Sequence, residues 1–303
     1  MNDWLLSLVG TPEGARLATL LALTAALAHA IFGALQKGLH DPWLTRGAID
    51  VWLVVIAGPV AIFVFGPPAP FMWPVLAGVV VIHFLYKLAM ALAYERAAFT
   101  VVYPVVRGTG PLITILAAMV IFGESYTALQ WLGVACLSGG ILLLALRNLS
   151  EEQIDLRALK QGLVWALLGG LMVAVYTTYD AWAIRLSGDP LGFVAWFFFL
   201  SSMDFAILGA LRYRRMAYPP ALRPLMVRGL AGALIGYVSF GSVMVATLVG
   251  KVGEAAILRE TSTVFAALIG WFILKERVGP RKLALMVLIA LGAMIVELGR
   301  KGG

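Results

Sequence analysis

Apolar runs of about twenty residues recur along the chain, each closed by charged residues or by Gly and Pro. They divide it into ten segments, approximately 16–36, 46–66, 72–93, 97–122, 128–146, 159–183, 190–211, 224–249, 254–275 and 281–298. At ~1.5 Å per helical residue, a run of that length covers the ~30 Å of a bilayer's hydrocarbon. The runs are continuously apolar and do not alternate, and every backbone group inside lipid must find an internal partner, so the pattern predicts helices and not a barrel. The expected fold class is an all-α polytopic membrane protein with ten transmembrane helices. The first ten residues, MNDWLLSLVG, are too short to span and lack the basic start and cleavage site of a secretory signal, which places them at the interface.

Composition agrees with this pattern. Of 303 residues 61% are hydrophobic and 13% charged, against roughly 25% charged in a soluble domain, which excludes an ordinary water-soluble enzyme. A single cysteine, Cys136, permits no intrachain disulfide, and the chain has neither a CxxC pair nor a His/Cys cluster, so no metal or other cofactor is expected. The net charge of +7 is assigned to Lys and Arg held at a cytoplasmic face and not to nucleic-acid binding. No phosphate-binding loop, kinase signature or nucleophile elbow occurs, so the chain is expected not to be an enzyme and to draw on gradients rather than ATP.

A charged linker, residues 147 to 161, separates five segments from five and suggests two units, 1–150 and 151–303. Shifting the second unit by 152 positions aligns Arg107 with Arg259, Thr109 with Thr261, Leu116 with Leu268, Glu124 with Glu276 and Gly140 with Gly292. Asp41-Pro42 and Asp189-Pro190 correspond at an offset of 148. Because five is odd, the second copy enters the membrane from the opposite side. The halves then form an inverted repeat, an arrangement suited to alternating access around a shared central site.

On these features the chain resembles the EamA-type branch of the drug/metabolite transporter (DMT) superfamily. The resemblance rests on the ten-helix duplication, on the fourth segment AAFTVVYPVVRGTGPLITILAAMVIFGES with its central Pro104 and closing Gly123-Glu124, and on the ninth segment ending Leu274-Lys275-Glu276-Arg277. It extends over essentially the whole chain. It implies a secondary transporter of a small organic molecule in a bacterial cytoplasmic (inner) membrane, with both termini in the cytoplasm. Charge counting points the other way: leaving aside Lys87, Arg107 and Arg259, fifteen of twenty basic residues fall on the side opposite the termini, and the positive-inside rule puts that side in the cytoplasm. Both orientations stay open. The intramembrane arginines depart from the general family pattern.

Ionisable groups at mid-bilayer cost at least ~2.5–3.5 kcal/mol each on insertion scales, so they mark a functional cavity or a buried pair. Arg107 lies about ten residues into the fourth segment, ~15 Å deep, on a face with Tyr103, Gly110, Pro111 and Thr114 and near Thr109. Arg259 has Ser262 and Thr263 one turn on, and Glu260 on a neighbouring face. A permanently charged, forked guanidinium suits carboxylate, phosphate or sulfonate. The two arginines therefore read as anchors for an anionic or zwitterionic group, or else as structural partners of Glu260, Asp204 or Asp180. His83, Lys87, Met90 and Tyr94 share one face of the third segment, where Lys87 reads as a substrate contact or a carboxylate partner. His29 reads as packing, or as a ligand or proton carrier. Tyr176 and Asp180 share a face of the sixth segment, with Asp180 placed by its position near the segment end in interfacial water. Gly229, Gly232 and Gly236 read as a tight helix-packing run.

The expected function is secondary transport of a small anionic or zwitterionic organic metabolite. The expected substrate-binding residues are Arg107, Arg259, His83, Lys87, Tyr103, Tyr176, His29, Glu260, Thr109 and Thr263, with a proton or other ion as coupling partner and lipid around the chain. A homodimer stays open. The alternatives are an exporter of aromatic or cationic compounds, using tyrosines and tryptophans as π faces, and a lipid-handling membrane protein.

Overall fold

The computed structural model describes residues 1–36, 41–96, 99–151, 156–272 and 279–300. A short α1 (Asn2–Ser7) leads into α2 (Pro12–Gln36), α3 (Pro42–Pro59), α4 (Met72–Arg96), α5 (Phe99–Phe122), α6 (Ala128–Glu151) and α7 (Leu156–Ser187). Then come α8 (Pro190–Ser201), α9 (Met203–Arg215), α10 (Leu222–Val249), α11 (Val252–Arg259), α12 (Ser262–Phe272) and α13 (Pro280–Arg300). There is no strand among the described residues. Seven helical stretches are long and apolar enough to cross a membrane: Pro12–Gly33, Pro42–Phe65, Met72–Arg96, Val105–Phe122, Leu159–Ser187, Pro190–Arg215 and Leu222–Val249. Ala128–Leu144 and Leu283–Gly299 are shorter apolar helices. The protein is an all-helical integral membrane protein.

Local chemistry sets the helix ends. The Asp41 carboxylate accepts from the backbone N–H of Trp43, at 2.9 Å, and of Leu44, and Pro42 takes the first helical position of α3. Pro59 lacks an N–H and crowds the preceding turn. From there α3 continues as a π-helical stretch, Val60–Phe65, ending at Gly66 with φ 73°.

Two segments expected as single helices are broken. The span 190–215 breaks at Ser202 and the ninth segment breaks at Glu260-Thr261; residues 273–275 of its expected range lie outside the described residues. A break inside lipid must find partners for the backbone groups it frees. At Ser202, Lys87 Nζ donates to the Ser201 carbonyl at 2.5 Å, and the Asp204 carboxylate accepts from Phe205 N–H. At Glu260, the hydroxyl of Thr261 donates to the Leu258 carbonyl at 2.7 Å and that of Thr263 to the Glu260 carbonyl at 2.8 Å.

The principal helix contacts are α2 with α10, α4 and α5 with α7, α11 and α12 with α2, α3 with α9 and α10, and α6 with α13. Small residues let these backbones approach. A Cβ added at Gly133 of α6 would stand 2.6 Å from the Gly292 carbonyl of α13, and one at Gly229 of α10 2.8 Å from the backbone of Ala48. Large apolar side chains such as Phe63, Val120, Leu146 and Leu20 remain exposed on the outside, as expected of a surface that meets lipid.

Candidate functional site

Near the middle of the helix bundle, α5 supplies Arg107, the last turn of α11 supplies Arg259, and the break after α11 supplies Glu260. All three are buried, with Glu260 at 0% exposure. Arg107 Nη1 donates to Glu260 Oε1 at 2.9 Å, and Arg259 Nε lies 3.9 Å from the same oxygen. The second carboxylate oxygen, Oε2, is buried without a hydrogen-bond partner, as is Arg259 Nε. Arg259 Nη2 reaches the Tyr176 hydroxyl at 3.4 Å, and its guanidinium carbon lies 5.9 Å from the Tyr176 ring centre. The two arginines do meet, over one carboxylate instead of two.

His29 of α2 contacts this group through Nε2, which faces Arg107 Nη2. A guanidinium only donates, so that nitrogen accepts and the ring is neutral, with its proton on Nδ1. Thr109 and Thr263 turn inward to their own helices, their hydroxyls donating to the carbonyls of Val105, at 2.9 Å, and Glu260. The Tyr103 side chain lies outside the described residues.

Tyr176 sits among aromatic rings, 4.8 Å from His83, 5.0 Å from Tyr86 and 6.2 Å from Phe240, centre to centre. His83 Nε2 in turn lies 2.9 Å from Asp180 Oδ2. The position of Asp180 corrects the sequence reading. α7 runs on to Ser187, so Asp180 is two turns from the helix end, 4% exposed and paired with His83 instead of solvated at an interface.

A second ionic group lies along α4. Lys87 Nζ donates to Asp50 of α3 at 3.0 Å, to Asp204 of α9 and to the Ser201 carbonyl. Asp50 also meets Arg46 at 2.8 Å. Two cations and two carboxylates balance there, so the alternative reading of Lys87, as a carboxylate partner, describes its contacts. Sequence reasoning missed Asp50 altogether, although a lone acid four residues after Arg46 in an apolar run was a readable signal. It also left Gln130 and Glu254 unassigned. Both are buried, and Gln130 Nε2 donates to Glu254 Oε1 at 2.7 Å.

Two cavities flank these groups. One, of about 550 Å³, lies on the side of the N-terminus and is lined by Thr11, Thr19, Glu124, Arg185, Lys251, Glu254 and Leu258, among others. It reaches the residue before Arg259, and the arginines themselves are not among its lining. The other holds about 30 Å³ between Arg46, His83, Lys87, Ser201, Ser202 and neighbouring aromatic rings, space for one water. At the rim of the larger cavity, the Glu124 carboxylate accepts from the first N–H groups of α11, those of Val252 at 2.6 Å and Gly253 at 3.2 Å, and from the Tyr126 hydroxyl. Burial, reinforced by that hydrogen bond to Glu124, pushes the Tyr126 hydroxyl well above the usual tyrosine range.

Comparison with known proteins agrees with this architecture. Residues 160–298 match the EamA-like transporter family, and residues 74–185 match the UAA transporter family. A 75-residue stretch, 25% of this chain, is 35% identical to the uncharacterized protein y4nH of Sinorhizobium fredii (strain NBRC 101917 / NGR234), and the match spans 64% of that relative's length. A protein of known crystal structure, 20% identical, superposes with a TM-score of 0.72 over 93% of this chain and 98% of its own, and so shares the fold. Both matched families are transporter families of one superfamily, and together the two matches extend from residue 74 to residue 298: the chain belongs to the DMT superfamily and is of the EamA type.

Proposed function

We propose that the protein is a secondary transporter that moves a small anionic or zwitterionic organic metabolite across a bacterial cytoplasmic membrane by alternating access. Its ten crossings fall into two inverted halves, 1–150 and 151–303. The helix pairing supports this organisation because it survives exchange of the halves. Counting α8 with α9 and α11 with α12 as one crossing each, α2 on α10 corresponds to α7 on α4, and α5 on α7 corresponds to α11 and α12 on α2. The pairs α3 with α9 and α6 with α13 join counterparts directly.

The observation that carries the substrate class is the sharing of Glu260 Oε1 by Arg107, at 2.9 Å, and Arg259, at 3.9 Å. One guanidinium from each half faces one carboxylate, so a positive charge is left over in a buried place where a charge without a partner is expensive. A cargo carboxylate, phosphate or sulfonate supplies the missing partner. The 550 Å³ cavity falls within the range of small-molecule sites and leads toward Arg259, and Glu260 holds the arginines together until cargo arrives. Export of aromatic or cationic compounds draws on the ring cluster around Tyr176, but an excess of buried cations disfavours a cationic cargo.

Reconstitution into proteoliposomes tests this reading. A panel of carboxylates, amino acids, phosphate esters and sulfonates, with quaternary amines as the opposing set, is screened first by thermal shift and then for uptake. Anionic or zwitterionic members stabilise the protein, and Arg107→Ala or Arg259→Ala abolishes their uptake while the variants still elute as folded protein. Stabilisation by quaternary amines alone, or unchanged uptake in both variants, removes the anion-anchor role.

A further inference from the structure

We infer that His83 and Asp180 form a buried proton-binding dyad, separate from the arginine site, through which a proton gradient acts on the carrier; the inference rests on the transport reading above. Two of the three histidines in the sequence, His29 and His83, lie in the helix bundle, and their partners are of opposite sign. His29 Nε2 faces the Arg107 guanidinium. His83 Nε2 faces the Asp180 carboxylate at 2.9 Å. A carboxylate only accepts, so His83 Nε2 carries a hydrogen and a second proton enters at Nδ1, turning a neutral ring beside a buried anion into an ion pair. Asp180 Oδ1 is buried with no hydrogen-bond partner, leaving the carboxylate half-satisfied until its partner is charged.

The surroundings leave this charge to His83. On α4 itself stand Tyr86 and Lys87. From α7 come Tyr176, Tyr179 and Asp180, from α3 Arg46 and Asp50, and from α9 Asp204, while α8 presents Phe197 and has no titratable residue. On the side of the arginines, Arg107 of α5 and Arg259 of α11 lie beyond Tyr176 and Tyr86. Lys87 and Arg46 are already engaged by Asp50 and Asp204. Asp180 has no ion-pair partner among the described residues other than His83. His83 lines the 30 Å³ cavity on one side, and its ring lies 4.8 Å from that of Tyr176, whose hydroxyl contacts Arg259. The dyad joins α4 of the first half to α7 of the second, so its charge state acts on the interface that alternating access must rearrange.

The test begins with the proton alone. Full-length protein labelled with ¹⁵N-histidine is titrated in detergent, with single His→Gln variants assigning the three rings. The His83 signals pass from the neutral to the doubly protonated pattern between pH 8 and pH 5, and in Asp180→Asn they stay neutral over that range. Asp180→Glu, which keeps the carboxylate, restores the transition and covers the case in which Asp180→Asn fails to fold. A His83 ring fixed in one state from pH 8 to pH 5 in the wild type, or a transition unchanged in Asp180→Asn, overturns the dyad.

Coupling is then read as uptake of the panel acids with and without an inward proton gradient. The gradient raises wild-type uptake several-fold, whereas His83→Gln shows no gradient response and keeps equal-pH exchange. A wild type that exchanges acids but ignores the gradient overturns the coupling and leaves the carrier reading standing. Loss of all exchange in Arg107→Ala with the titration intact supports two separate sites. A normal titration in a protein that no panel acid stabilises sinks the anionic cargo and not the dyad.

Discussion

The two ionic groups near the middle of this bundle differ by one carboxylate. Around Lys87, two cations meet two acids, and the carbonyl freed by the break at Ser202 is taken up as well. Around Glu260, two guanidiniums meet one acid with an unpartnered oxygen. The first arrangement is closed, while the second lacks an anion. Burial does not separate them, since Lys87, Arg107 and Arg259 are all within 3 to 4% exposure. The balance of charge does, and it indicates which group holds the fold and which receives a guest.

The largest effect expected from breaking this comparison is at Lys87. Lys87→Ala leaves Asp50 and Asp204 without their shared cation and the Ser201 carbonyl without its donor, which costs about 3–5 kcal/mol, seen as a sharp fall in thermal stability that no panel acid reverses. Glu260→Gln is next, at about 3 kcal/mol, because two guanidiniums lose their counter-charge. Here a binding anion restores stability, by about 2.7 kcal/mol at a hundred times its dissociation constant, and it binds more tightly than to wild type because it no longer competes with Glu260. Equal rescue of both variants, or of neither, removes the distinction between the groups. The smallest change is Glu124→Gln, outside both groups. It removes the negative charge at the first turn of α11 and lowers the melting temperature by the equivalent of about 0.3–1 kcal/mol, leaving anion-induced stabilisation in place.

The sequence made the helical architecture legible because lipid leaves few solutions for an apolar run of twenty residues. It also singled out Arg107 and Arg259, since a charge inside such a run is conspicuous and the internal repeat paired the two. What it concealed depends on the third dimension. Apolar character runs unbroken through Ser202 and Thr261, so neither break has a local signal, and Lys87 capping the first of them acts from 114 positions away. Asp180 was misplaced because the expected segment stopped at residue 183, whereas α7 extends to Ser187 and carries the acid inside. Thr109 and Thr263 looked like cargo ligands from their positions on a polar face, but a threonine in a helix can satisfy itself one turn back, and both do.

The contact of α6 with α13 carries a consequence of its own. At Gly133 and Gly292 the two helices meet main chain against main chain, with no room for even a methyl group between them. Such a seam has no side chains to re-sort when its neighbours shift, so it serves as an axle: displacement is smallest along this line and grows toward the opposite flank of the molecule. A bulky residue set into it acts less on any one pocket than on the freedom of the whole device to turn.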